Sequence, residues 1–222
     1  MTLTPAAHPF RLLLVDDHRM FREWLGTMLA ATGRYRVVGE SDNTAEALQL
    51  ARSLQPDAIT VDLGLRGPGG LELIKDLRAF DIQTPILVLS MHDDHLYAQR
   101  ALRAGATGYL NKSEASSTVV LALDQIMRGE VYLGSQATAK ILHNLAYGSH
   151  SAAGSIESLA DRELEVFQLI GKGFNIPKIA EVLHLGETTV GTYRSRIKEK
   201  LSLKTSAELY ALAARWLQEK GA

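Results

Sequence analysis

The chain has 222 residues, a formal net charge of −1, 46% apolar residues and no cysteine. That length holds one large domain or two modest ones, and that apolar content excludes a disordered chain. The missing cysteine excludes disulfides, thiolate metal sites and a cysteine nucleophile, and the near-zero charge confines any basic surface to a local patch.

No basic region followed by an apolar stretch opens the sequence, and no run approaches the roughly 18 apolar residues of a membrane helix. A cytoplasmic protein without membrane insertion is the expectation. Residues 1–9 read as a loose arm. From Phe10 to about Arg128 strand-like and helix-like segments alternate. Strands are predicted near 10–15, 36–41, 58–62, 85–90 and 108–111, and helices near 19–32, 44–54, 70–80, 95–104 and 116–128. Asn43 and Ser116 suit helix N-caps. Gly33, Gly105 and Gly129 follow helical runs, where a left-handed cap is wanted. Alternation with connections this short implies a doubly wound, parallel five-stranded sheet with right-handed crossovers.

The pattern breaks near Gly129. Residues 131–155 read as a linker, with room for one short helix before a small, polar, glycine-bearing stretch at 146–155. From Ser158 onward the pattern is helical only, with segments near 161–171, 176–183, 187–200 and 206–219. The expected division is therefore 10–130, a linker at 131–155, and a compact four-helix domain of the helix-turn-helix kind at 156–222.

Polar residues recur just after the apolar strand-like runs: Asp16 and Asp17 after Arg11-Leu-Leu-Leu-Val15, Asp62 after Ala58-Ile-Thr-Val61, Ser90 after Ile86-Leu-Val-Leu89, and Lys112 after Gly108-Tyr-Leu-Asn111. In a parallel sheet the strands' C-terminal ends share one edge, where such folds bind ligands. Taken singly, these residues read as a helix cap, a turn and a solvated charge. Taken together, three carboxylates, a hydroxyl and an ammonium suit holding a divalent cation and moving a phosphoryl group. Mg²⁺ prefers oxygen ligands, here Asp16, Asp17, Asp62 and a backbone carbonyl just past Asp62, most simply Gly64. Ser90 and Lys112 are the types needed to receive charge on phosphoryl oxygens.

The motifs Leu14-Val-Asp-Asp-His18, Val61-Asp-Leu-Gly-Leu65, Leu89-Ser-Met91 and Gly105-Ala-Thr-Gly-Tyr-Leu-Asn-Lys112 make residues 10–128 resemble the receiver domain of two-component response regulators. The resemblance implies a flavodoxin-like fold and a phosphoacceptor at Asp62, charged by a sensor histidine kinase. It further implies metal-binding acids at Asp16 and Asp17, a switch pair at Ser90 and Tyr109, and the family's lysine at Lys112. Two positions depart from the pattern. Arg66 stands where proline is usual, and Ser113 follows the lysine where a cis proline is common. A cis bond before a non-proline residue costs about 2.5–4 kcal/mol, which favours trans at Ser113.

In the helical domain, Asn175 suits an N-cap with Pro177 in the first turn after it. Leu183-His-Leu-Gly186 makes a turn, and a third helix runs from Thr188 to Leu201. At about 100° per residue, Val190, Ile197 and Leu201 form its core stripe. The outward face then carries Thr188, Thr192, Ser195, Arg196 and Glu199, with Gly191 and Lys198 to one side. Such a helix fits the major groove of double-stranded DNA, and the local cluster of Arg194, Arg196, Lys198, Lys200 and Lys204 suits phosphate attraction. The competing reading is a solvated amphipathic helix with ordinary surface charge.

The pieces Arg162-Glu163, Glu165-Val166, Gly171-Lys-Gly173, Ile179-Ala180, Thr189-Val190 and Lys200-Leu201 make residues 156–219 resemble the LuxR-type helix-turn-helix of NarL/FixJ-class response regulators. Face and basic cluster together give the expected DNA-contacting set Thr188, Thr189, Thr192, Arg194, Ser195, Arg196, Lys198 and Lys200, and the resemblance implies a homodimer when active. Here the family's usual basic residue two before Tyr193 is Gly191. The usual Ser/Thr cap is Ala160, which weakens that helix start by about 1 kcal/mol.

The seven histidines lack cysteine partners and close HxxxH spacing, so His8, His18, His92, His95, His143, His150 and His184 read as surface or loop positions. Two alternatives stay beside the leading reading. One is an atypical receiver that dimerises or binds a partner without phosphate. The other is a metal-dependent phosphohydrolase, disfavoured because Gly64 occupies the place of such enzymes' second aspartate. The leading reading is not an enzyme, beyond accepting a phosphoryl group and at most releasing it.

Overall fold

The structure is a computed structural model describing residues 8–65, 68–91, 94–134, 137–139 and 155–220. The chain divides into two compact units, Met1–His143 and Asn144–Ala222. Arg66 and residues 140–154, the heart of the expected linker, lie outside the described residues.

The first unit alternates strands and helices as β1 (Phe10–Val15), α1 (Arg19–Ala31), β2 (Tyr35–Ser41), α2 (Thr44–Leu54), β3 (Ala58–Asp62), α3 (Gly70–Ala79), β4 (Ile86–Ser90), α4 (Asp94–Ala104), β5 (Gly108–Asn111), α5 (Ala115–Met127) and β6 (Tyr132–Leu133). The sheet order is β2-β1-β3-β4-β5-β6, with all pairs parallel. Six strands replace the five expected. β6 pairs Tyr132 with Gly108 and Tyr109 with Leu133, within the stretch read as linker. A strand of two residues is too short to carry an alternation signal.

The runs that read as buried strands are buried: Leu12, Leu13, Leu14, Ile59, Val61, Leu87, Val88 and Leu110 are at most 1% exposed. Continuous apolar strands suit a sheet covered on both faces. One core face gathers Leu12, Leu14, Leu87, Leu89 and Leu110 against Leu25 and Leu29 of α1 and Val119, Leu123 and Ile126 of α5. The Tyr35 hydroxyl donates to Asp124 of α5, and the Arg34 guanidinium pairs with the same carboxylate.

Asn43 caps α2, its side chain accepting the Glu46 N–H at 2.9 Å. Gly33, Gly105 and Gly129 have φ of 66°, 108° and 78°, the left-handed geometry expected after helices. Ser116 does not cap α5. The helix is entered one residue earlier, through a single 3-10 turn at Lys112–Glu114. Asn111 starts that turn by accepting from the Ser113 N–H at 2.9 Å and the Ser113 hydroxyl at 2.7 Å. The Lys112–Ser113 bond is trans, with no cis peptide among the described residues.

In the second unit a 3-10 turn at Ile156–Ser158 precedes α6 (Asp161–Gly171), α7 (Ile176–Leu183), α8 (Glu187–Lys200) and α9 (Ser206–Lys220). Leu164, Phe167, Ile179, Val190, Ile197, Leu209 and Ala213 are wholly buried. Phe167 and Trp216 meet edge-on at 5.6 Å. A Cβ on Gly171 would stand 2.6 Å from the Ala213 carbonyl oxygen, so α6 and α9 cross where a side chain cannot fit. Among the described residues no helix is long and apolar enough to cross a membrane.

Candidate functional site

Sheet register brings the polar strand-end residues together. Val15 pairs with Val61, so Asp16 and Asp62 are neighbours one step on. Asp62 pairs with Leu89, and Ser90 with Asn111, so Ser90 and Lys112 follow on the next two strands. The strand order reverses direction at β1, between β2 and β3, the switch point at which open α/β sheets form a crevice.

Lys112 Nζ donates to Asp62 Oδ2 at 2.7 Å and stands 2.7 Å from Asp16 Oδ2. All three side chains are at most 6% exposed. The Phe21 ring of α1 lies 4.7 Å from the ammonium and covers another side of it. Burial, and then the nearby Asp62 carboxylate, push the Asp16 carboxyl above its usual range. The Lys112 hydrogen bond and charge and the His18 N–H pull the other way. Two buried carboxylates on one ammonium leave the pocket with excess negative charge, a setting that favours a cation.

The loops are held by their own backbone. The His18 N–H donates to Asp16 Oδ1 at 2.9 Å, and the Gly64 N–H to Asp62 Oδ1 at 3.2 Å. The Arg22 guanidinium donates to the Asp16 carbonyl and pairs with Glu40 at 3.4 Å. Gly70 opens α3 directly behind the site: a Cβ there would lie 2.1 Å from the Asp62 carbonyl oxygen. Ser90 and Tyr109 are wholly buried on adjacent strands. Asp17 is half-buried at the same edge.

His18 is a surface residue, as its spacing predicts, and it also stands beside this group. Asp16, Asp17, His18 and Asp62 each offer a ligand atom, and these atoms lie within 4.8 Å of one another. The signal available in the sequence was adjacency: His18 directly follows two acids at a strand end.

In the second unit Val190 and Ile197 of α8 and Leu201, the residue that ends it, are buried, the predicted core stripe. Thr188, Thr189, Thr192, Ser195 and Arg196 are exposed, and Lys198 is half-buried. Two basic residues of the predicted face have partners inside the unit. The Arg194 guanidinium stands 5.5 Å over the Tyr210 ring of α9. Lys200 Nζ donates to Glu163 Oε2 at 2.6 Å. Glu163 is 3% exposed and accepts the Ala160 N–H at 2.7 Å, half of a capping box. The side chain of Glu163 thus joins the start of α6 to the end of α8, a tie that the sequence reading missed. Its signal was an acid three residues after the N-cap position.

A family model for the response regulator receiver domain matches residues 12–124, and one for bacterial regulatory proteins of the luxR family matches residues 157–213. Response regulator GacA of Pseudomonas aeruginosa is 32% identical over 206 residues, 92% of this chain and 95% of that protein. Nitrate/nitrite response regulator protein NarL of Escherichia coli is 31% identical over 212 residues, 96% of each. The crystal structure of a LuxR-family two-component response regulator from Aurantimonas is 33% identical, with a TM-score of 0.60, and covers 62% of this chain and 99% of that one. RcsB from Salmonella enterica serovar Typhimurium, bound to promoter rprA in the presence of a phosphomimetic, is 20% identical with a TM-score of 0.63. It covers 93% of this chain and 99% of that one, a likeness of fold alone. A receiver joined to a LuxR-type DNA-binding domain, matched along nearly its full length by transcriptional regulators of two-component systems, places this chain in the response-regulator family of the NarL/FixJ class.

Proposed function

We propose that a sensor histidine kinase transfers a phosphoryl group to Asp62 and that the modified chain controls transcription by binding promoter DNA through α8. The observation that carries the reading is the meeting of Asp62, Asp16 and Lys112 at 2.7 Å contacts on the sheet edge. A carboxylate oxygen of Asp62 attacks phosphorus, the bond to the kinase histidine nitrogen breaks, and that nitrogen leaves with the electron pair. Lys112 then trades a carboxylate oxygen for a phosphoryl oxygen, and the Ser90 hydroxyl donates to another.

The donor set suits Mg²⁺: three carboxylates and the Gly64 carbonyl are all hard oxygens. Asp16, Asp17 and Asp62 would hold the ion with Gly64, and the ion's charge would offset that of the carboxylates and the incoming phosphoryl group. Ser90 and Tyr109 serve as the switch pair. The division of labour follows the chain: residues 10–130, with β6 added at the sheet edge, receive the phosphoryl group, the rest of 131–155 connects, and 156–222 read DNA.

On α8 the reading assigns base and phosphate contacts to Thr188, Thr189, Thr192, Ser195, Arg196 and Lys198, which share its exposed and half-buried face. The ties of Arg194 and Lys200 within the unit leave those two residues to orient the helix first. A two-fold dimer reads two half-sites, and the protein works in the cytoplasm. The test is promoter binding by the full chain with and without acetyl phosphate and Mg²⁺. Tighter binding after treatment, absent in Asp62→Asn, supports the reading. Identical binding under both conditions, with Asp62 demonstrably modified, contradicts it.

A further inference from the structure

The imidazole of His18 adds a nitrogen donor to a pocket otherwise built from oxygens. Its Nδ1 lies 2.8 Å from Asp17 Oδ1, 3.3 Å from Asp16 Oδ1 and 3.7 Å from Asp62 Oδ2. Adjacent corners of an octahedron with bonds of about 2.1 Å are about 3 Å apart, and opposite corners about 4.2 Å. The two shorter spacings sit near the first distance, and the third falls between the two. The His18 imidazole is thus at ligand-to-ligand spacing from acids of two strand ends, and the four ligand atoms lie within 4.8 Å of one another.

The backbone holds this arrangement. His18 is the N-cap position of α1, with φ −89° and ψ 93°, but its side chain makes no capping hydrogen bond to the helix. Its N–H is bound to Asp16 Oδ1, which fixes the residue over the pocket. The side chain is 67% exposed, so the ring can turn onto an ion without disturbing the core.

We propose that His18 is a metal ligand in this pocket and that it shifts selectivity from Mg²⁺ toward first-row transition ions such as Mn²⁺ and Ni²⁺. The inference rests on the reading that Asp16, Asp17 and Asp62 hold a divalent cation. Mg²⁺ takes oxygen donors and keeps its waters, whereas imidazole is a preferred ligand of the transition ions. On binding, the ion replaces any proton on Nδ1, which is released to solvent. The metal present then becomes an input to the phosphorylation site, alongside the kinase.

The experiment uses the full chain and the metals alone. Isothermal titration with MgCl₂ and NiCl₂ gives the ratio of the two affinities in the wild type, His18→Ala and His18→Gln. Electron spin-echo spectroscopy of the Mn²⁺-loaded protein reads nitrogen directly bound to the ion. The proposal expects the Ni²⁺-to-Mg²⁺ affinity ratio to fall about tenfold or more in both variants, with ¹⁴N coupling in the wild type alone. Equal ratios in all three proteins, or no ¹⁴N coupling in the wild type, overturn it. If wild-type Mg²⁺ binding and labelling by acetyl phosphate persist in that case, only the role of His18 falls. If the wild type binds none of the ions, the cation pocket falls with it.

Discussion

Lys112 Nζ and Asp62 Oδ2 meet at 2.7 Å across 50 positions of sequence, and the same ammonium reaches Asp16 at 2.7 Å. One buried cation therefore serves two buried carboxylates. Replacing Lys112 with Met keeps its length and removes its charge. The carboxylates then repel each other without compensation, and breaking a buried pair from one side costs about 3–5 kcal/mol. Urea unfolding of Lys112→Met at neutral pH without added Mg²⁺ should show a loss of that order, largely restored by Mg²⁺.

Asp16 gives the same pocket a pH signature. Its carboxyl is raised above the usual value, first by burial and second by Asp62. A raised folded-state value means that the folded chain binds the proton more tightly than the unfolded chain. The associated stability is present below the unfolded value of 3.8 and is lost as pH rises through the folded value. Asp16→Asn removes the cost of the buried charge and keeps an acceptor for the His18 N–H. Without Mg²⁺ it should be more stable than the wild type at pH 7, by about 1 kcal/mol. That advantage should shrink toward acid pH, and Mg²⁺ should reduce it by stabilising the wild type, with its full set of carboxylates, more than the variant. The check is the urea midpoint of both proteins across pH, with and without the ion.

Gly70 presses on the Asp62 carbonyl with no room for a methyl group. Gly70→Ala forces α3 or the β3 end to shift. Overpacking of this kind costs about 1–3 kcal/mol, and the Asp62 carboxylate moves with its backbone. A lowered melting temperature together with slower labelling by acetyl phosphate is the expected pair of effects.

Much of this arrangement was legible in the amino-acid order. The strands announced themselves as apolar runs ending in polar residues, because a parallel sheet buried on both faces needs continuous apolar strands. The α8 stripe of Val190, Ile197 and Leu201 followed from helical periodicity. Long-range ties were not legible in the same way. Glu163 and Lys200 stand 37 positions apart, and nothing local marks them as a pair. His18 is at the surface as its spacing predicts, but its nearness to Asp62 of another strand is set by the sheet and leaves no local mark. Ser116 lost the helix start to Asn111, whose side chain captures the chain one turn sooner. The two-residue β6 is set by pairing with β5 rather than by a pattern of its own.

The Glu163–Lys200 tie separates stability from DNA contact on α8. Lys200→Ala leaves the Glu163 carboxylate, 3% exposed, without its ammonium. The carboxylate keeps the Ala160 N–H but loses a hydrogen bond of charged partners, which costs about 1.5–3 kcal/mol, so thermal unfolding of the second unit should come earlier. Arg196 is exposed and has no such duty in the reading. Arg196→Ala should leave the melting temperature unchanged, weaken promoter binding, and reduce the slope of log affinity against log salt by about 1. Calorimetry and salt-dependent binding on both variants distinguish the two effects.

The central claim, that Asp62 receives the phosphoryl group, is tested most directly by trapping the acyl phosphate. The full chain is treated with acetyl phosphate and Mg²⁺, reduced with borohydride, and mapped by peptide mass spectrometry. The account predicts reduction of a single aspartate to homoserine, at position 62, and none in Asp62→Asn. Homoserine at another position, or none in the wild type under conditions where Mg²⁺ binds, would contradict it.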